Sequence, residues 1–95
     1  VASDAATVAR FRREASNSSR VVHPNVAALY DFGETAEGLF YLAMELIEGE
    51  TLTALLAREG PLPPARATAI VRQIADALAA ADDHGVVHRD LKPDN

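Results

Sequence analysis

The sequence predicts an α+β fold: one helix, then a small antiparallel strand pair, then two further helices. Three observations carry this reading. Two strand-like runs flank a glycine-bounded connection, Gly33 to Gly38. Apolar residues recur at helical spacing both before and after that pair. Gly60, Pro61, Pro63, Pro64 and Gly85 then punctuate the C-terminal half into two helical stretches.

Ser3 to Ser18 is rich in helix formers, with Val8, Phe11 and Ala15 on one stripe and Arg10, Arg12 and Arg13 between them, so an amphipathic helix is expected there. The turn-prone His23-Pro24-Asn25 separates it from an expected strand over Val26 to Phe32. A second strand is expected over Leu39 to Ile47. Its Phe40, Leu42, Met44 and Leu46 share one face, and Leu39, Tyr41 and Ala43 share the other. Both faces are apolar, so such a strand calls for cover on both sides. A short helix follows, with Thr51 as N-cap and Gly60 just past its end. Pro64 suits the first turn of a longer helix reaching about Asp83, whose stripe is Ile70, Ile74 and Leu78, joined by Val71, Ala75 and Ala81. Gly85 ends it.

The chain has 95 residues, room for at most one core. With 48% hydrophobic and 24% charged residues it is neither a disordered tail nor a collagen-like or coiled-coil repeat. Its net charge is -5, and the basic residues are scattered, which argues against a nucleic-acid partner. Cysteine is absent, which excludes disulfide frameworks and thiolate metal sites. No apolar run approaches the roughly 20 residues that span a bilayer. The chain begins at Val1 and closes at Asn95, and is expected to be an internal piece of a longer protein.

Chemistry concentrates at the end: His88-Arg89-Asp90-Leu91-Lys92-Pro93-Asp94-Asn95. This run resembles the catalytic loop of the protein kinases. Its residue types suit phosphoryl transfer, which needs a carboxylate near the attacking hydroxyl, a cation near the transferring group and oxygen ligands for magnesium. Asp90, Lys92 and Asn95 offer one of each. Taken singly, Asp90 or Asn95 could equally cap a turn and Lys92 could be a solvated charge; the joint pattern is what points to catalysis. The resemblance implies that Asp90 orients the substrate hydroxyl and accepts its proton, that Lys92 neutralises phosphoryl charge, and that Asn95 holds Mg2+. It also implies that His88 supports the loop and that Arg89 meets a phosphate on an activation loop.

Upstream, Phe11-Arg12-Arg13-Glu14-Ala15 resembles the regulatory helix of the kinase small lobe, in which Glu14 would pair with a lysine that grips the ATP phosphates. His23-Pro24-Asn25-Val26 resembles the entry to the following strand, with Leu29 packing toward the helix. Glu45-Leu46-Ile47-Glu48-Gly49 resembles the end of a strand and the hinge. The resemblance makes Met44 the residue beside the adenine pocket, with the Glu45 carbonyl and the Ile47 amide pairing with the adenine edge. Residues 1–47 would then belong to the small lobe, 48–50 to the hinge and 51–95 to the start of the helical large lobe.

The departures are equally specific. No GxGxxG occurs, Lys92 is the only lysine, and no DFG is present, so the resemblance covers only the middle of a kinase domain. The Lys92-Pro93 pair resembles the serine/threonine class, and the FRREA helix together with the alanine- and arginine-rich composition resembles bacterial, eukaryotic-type kinases. The implied partners are ATP, Mg2+ and a protein substrate with Ser/Thr, and the implied location is cytoplasmic, in a parent compatible with membrane anchoring. Two other classes compete: a kinase-like scaffold or nucleotide-binding module without catalysis, and a small-molecule phosphotransferase. The latter typically has glycine where Arg89 stands and lacks the Lys92-Pro93 pair.

Overall fold

Asp4 decides where the first helix begins. Its carboxylate accepts from the Ala6 backbone N–H at 3.3 Å and from the Thr7 hydroxyl at 3.0 Å, satisfying a first-turn donor that has no partner within the helix. Helix α1 accordingly spans Ala5–Ser19 in the computed structural model, which describes residues 4–88 and 91–95. The expected start at Ser3 lies outside the described residues.

Strands β1, Leu29–Glu34, and β2, Phe40–Met44, form a two-stranded antiparallel sheet. Both differ from the sequence expectation. β1 starts at Leu29 rather than Val26, because the His23–Val26 segment closes a turn, with the Val26 N–H donating to the His23 carbonyl at 3.1 Å. It then runs on through Gly33 and Glu34, because the connection is tighter than Gly33 to Gly38. The Gly38 N–H donates to the Thr35 carbonyl at 3.0 Å, the Thr35 N–H to the Leu39 carbonyl at 2.8 Å, and the Leu39 N–H to the Thr35 hydroxyl at 3.1 Å. Gly38 sits at φ +84°, where a side chain would be strained. β2 ends at Met44 rather than Ile47.

Phe32 lies opposite Leu42, Gly33 opposite Tyr41 and Glu34 opposite Phe40, but the register shifts between Leu29 and Asp31. Tyr30 is the extra residue of a bulge, and it places Leu29 opposite Met44, on the same face as Leu42 and Phe32. On the other face the Tyr41 ring covers Gly33, where an added Cβ would come within 2.8 Å of the Tyr41 oxygen. The Tyr41 hydroxyl donates to Asp31 at 3.2 Å, and the negative charge of that carboxylate, reinforced by the hydrogen bond, raises the Tyr41 pKa above its ordinary value.

Helix α1 meets the sheet through Phe11. Its ring stacks on Phe40 at a centroid distance of 4.4 Å and 9° between planes, and it meets Phe32 edge-on at 6.5 Å and 73°. Ala15 and Val21, each 6% exposed, are the buried hydrophobic residues among those described.

Helix α2, Leu52–Glu59, is capped as its sequence predicts: the Thr51 hydroxyl accepts from the Ala54 N–H at 3.1 Å, and Gly60 at φ +73° closes it. Helix α3, Pro64–Asp82, turns the half-buried Ala67, Ile70, Ile74, Leu78 and Ala81 to one side. Val71 and Ala75, expected on that stripe, are exposed. A chain of ion pairs joins the residues ahead of α2 to α3: Arg58 pairs with Glu50 and, at 3.2 Å, with Glu59, which pairs with Arg66 at 2.6 Å. The hydrogen bond from Arg58 holds the Glu50 carboxyl below its ordinary pKa, and Glu50 in turn raises that of Arg58.

Much apolar surface faces water. The accessible area is 7165 Å2, against about 5,300 Å2 for a compact monomer of this mass. The radius of gyration is 16.0 Å, against about 12 Å for a compact chain of this length. Leu46 is 85% exposed and Ile47 62%. The 95-residue chain studied by itself is therefore expected to show helical circular dichroism, a broad thermal transition and binding of an apolar dye; a sharp two-state melt of a monomer would contradict this. A second expectation concerns Glu50. Its folded pKa lies below the unfolded one, so its contribution is present above the unfolded value and is lost as pH falls through the folded one. Arg58→Ala should move the Glu50 carboxyl titration, followed by carbon NMR, back up toward the ordinary glutamate value.

Candidate functional site

A cavity of about 780 Å3 opens where α1, the sheet, α3 and the C-terminal segment approach one another. Its lining includes Glu14, Leu29, Leu42, Met44, His88 and Asn95. Each arrives by a traceable route. Glu14 lies three residues beyond Phe11, one helical turn from the anchored ring, and so shares its side of α1. The Tyr30 bulge places Leu29 on the face that also carries Leu42 and Met44. α3 adds Ile74 and Leu78 as an apolar wall.

The C-terminal segment is shaped by two backbone bonds. The Asn95 N–H donates to the Lys92 carbonyl at 3.0 Å, closing a turn. The Pro93 carbonyl accepts from the Thr53 N–H at 3.1 Å, so a first-turn donor of α2 holds the segment in place. The turn exposes Lys92. Asp90 and Arg89 lie outside the described residues.

Glu45 and Ile47 line a second hollow of about 450 Å3, together with Asn25, Ile70, Gln73 and Ile74. There the Asn25 side-chain amide donates to the Gln73 carbonyl of α3 at 3.2 Å, while the Asn25 N–H donates to Nδ1 of His23 at 3.0 Å. That His23 nitrogen is an acceptor and carries no proton in this arrangement. The Glu45 N–H donates to the Ala28 carbonyl at 2.8 Å, and the Glu45 carboxylate accepts from the Ala28 N–H at 3.0 Å.

Thus Glu14, Met44 and Asn95 line one cavity, whereas Glu45 and Ile47 contribute to the neighbouring hollow. Asn25 and Thr53 are positioning residues that sequence reasoning did not single out. The turn signal of His23-Pro24-Asn25 marked the first without naming its partner, and the second acts through a backbone N–H that every residue but proline has. Among the described residues no group of three or more His, Asp or Glu side chains could hold a metal ion. Asn95 offers one neutral oxygen, suited to share a magnesium ion whose remaining ligands come from phosphate and water. The apolar wall of Leu29, Leu42 and Met44 suits the face of a planar base.

Comparison with known proteins agrees across the whole chain. The protein kinase domain model matches residues 2–95. Serine/threonine-protein kinase pkn3 of Myxococcus xanthus is 48% identical over 93 residues, which are 98% of this chain and 17% of the relative. Serine/threonine-protein kinase PknD of Mycobacterium tuberculosis is 52% identical over 87 residues, 92% of this chain and 13% of the relative. The chain therefore spans less than a fifth of the length of these relatives. Among solved structures, the PknI kinase domain of Mycobacterium tuberculosis superposes with a TM-score of 0.85 at 33% identity, covering 99% of this chain and 38% of that one. Rad53 in complex with AMP-PNP gives 0.80 at 33% identity, covering 88% of this chain and 22% of that one. With its strand pair, its helices and its closing His88–Asn95 run all falling within these matches, the chain belongs to the protein kinase domain family.

Proposed function

We propose that this chain is the stretch of a serine/threonine protein kinase domain from the regulatory helix to the catalytic loop, and that the whole domain transfers the γ-phosphoryl group of ATP to serine or threonine hydroxyls of proteins. Residues 1–47 form part of the small lobe, 48–50 the hinge and 51–95 the start of the large lobe. The observation that supports the reading is the convergence of Glu14, Met44, His88, Leu91 and Asn95 on one cavity. The domain works on the cytoplasmic side of its cell, where ATP is supplied; no helix among the described residues is long and apolar enough to cross a membrane.

Each residue then has a physical task. The apolar cavity wall excludes water from one face of the base, with Met44 bounding its depth, while the Glu45 carbonyl and the Ile47 amide pair with its edge. In the complete domain Glu14 would pair with a lysine supplied from outside these 95 residues, so that the lysine meets the nucleotide phosphates. Asp90 orients the attacking hydroxyl and takes its proton, and Lys92 supplies positive charge beside the transferring group. Asn95 would hold magnesium through its amide oxygen, and the bound ion neutralises phosphate charge.

Three expectations concern the complete kinase domain. Asp90→Asn should lower kcat by about a hundredfold or more while leaving nucleotide affinity within a few-fold, and Asn95→Ala should weaken magnesium-dependent nucleotide binding as well as rate. Near-normal turnover of Asp90→Asn would remove Asp90 from its role. Phosphoamino-acid analysis of the product should give phosphoserine or phosphothreonine, on the strength of the Lys92-Pro93 pair. Phosphotyrosine as the main product would overturn the substrate class.

A further inference from the structure

Where the sheet ends, one hydrogen bond goes to an unexpected acceptor. In an antiparallel ladder, a hydrogen-bonded pair of residues exchanges two bonds, each N–H donating to the other's carbonyl. Ala28 and Glu45 begin such a pair, since the Glu45 N–H donates to the Ala28 carbonyl at 2.8 Å. The reciprocal bond is diverted: the Ala28 N–H donates to the Glu45 carboxylate at 3.0 Å instead of to the Glu45 carbonyl.

We propose that the Glu45 side chain is a positioning residue that terminates the β1–β2 ladder and reserves the Glu45 backbone carbonyl for the 6-amino group of adenine. The inference rests on the kinase reading above and deepens it. A carboxylate is a stronger acceptor than a peptide carbonyl, so it wins the Ala28 N–H. The ladder thereby stops at Met44 rather than at Ile47, although the apolar alternation of the sequence continues through Leu46. The Glu45 carbonyl follows directly after Met44, whose side chain lines the larger cavity. Glu45 lines the smaller hollow, beside the cavity that Met44 lines. A carbonyl kept free of the ladder accepts from a 6-amino group and rejects a 6-oxo group, which brings a second acceptor. The side chain thus bears on purine choice without touching the purine.

The test uses the complete kinase domain, with ATP and purine riboside 5′-triphosphate, which lacks the 6-amino group. Glu45→Ala leaves the Ala28 N–H only the backbone carbonyl at position 45. Its KM for ATP should rise about tenfold, the loss of one hydrogen bond, with kcat changed less than twofold and KM for the analogue unchanged. Glu45→Gln keeps an acceptor oxygen at the same place and should restore KM for ATP to within about twofold. If Glu45→Ala does not fold, Glu45→Met, which keeps the length and removes the acceptor, serves in its place. Equal rises for both nucleotides, no rise for ATP, or failure of Glu45→Gln to restore it would each overturn the inference while leaving the kinase reading intact. Absence of ATP-dependent transfer by the unsubstituted domain would overturn both.

Discussion

The stacked contact between the Phe11 and Phe40 rings is the tie on which the site depends, because it is where α1 meets the hairpin. Aromatic pairs of this kind contribute about 0.5–1.5 kcal/mol beyond their buried area. That contribution is large where the buried hydrophobic residues, among those described, are Ala15 and Val21. Once Phe11 is docked, helical geometry leaves Glu14 little freedom: one turn further along, it borders the cavity that the strands line with Leu42 and Met44. A shift of α1 by one turn would carry the carboxylate away from the cavity while costing the helix none of its internal hydrogen bonds.

A polar contact ties α3 to this unit, and another ties α2 to the C-terminal segment. Asn25 reaches the Gln73 carbonyl of α3, and the Thr53 N–H at the start of α2 reaches the Pro93 carbonyl. Both are single hydrogen bonds, worth about 1 kcal/mol each, so they specify position more than they supply stability. They help to set the segment ending at Asn95 beside a cavity whose other walls come from α1, the strand pair and α3. The position of the two halves relative to each other thus rests on few contacts.

The extent of exposed apolar surface has the same origin. Among the described residues β2 is paired on one edge only, and Tyr41 of β2 and Leu39 just before it are exposed on the side away from α1. α3 buries part of one stripe and leaves Val71 to solvent. Surfaces of this composition belong against further strands and helices, and the kinase domains that this chain resembles are longer by more than half of their length.

What the sequence determined by itself was local. The Thr51 cap, the Gly60 and Gly85 endings, the alternation of β2 and the eight-residue His88–Asn95 run all act within one element or one turn, where residue type dictates geometry. The run also carried the family resemblance, since its polar residues have no use in a core at that spacing. Tertiary structure decided the rest. The Tyr30 bulge, which rotates Leu29 onto the cavity face, depends on the register of a partner strand. The ends of β1 and β2 depart from the alternation of the sequence where hydrogen bonds of the His23 turn and to the Glu45 carboxylate occur. Val71 and Ala75 are exposed although they adjoin the apolar stripe of α3, because periodicity defines a face without saying how wide a neighbour covers it. Pattern reports what a residue could do beside its own neighbours in sequence; which group it meets across the cavity is a matter of chain path, set by the few contacts that hold α1, the sheet and α3 together.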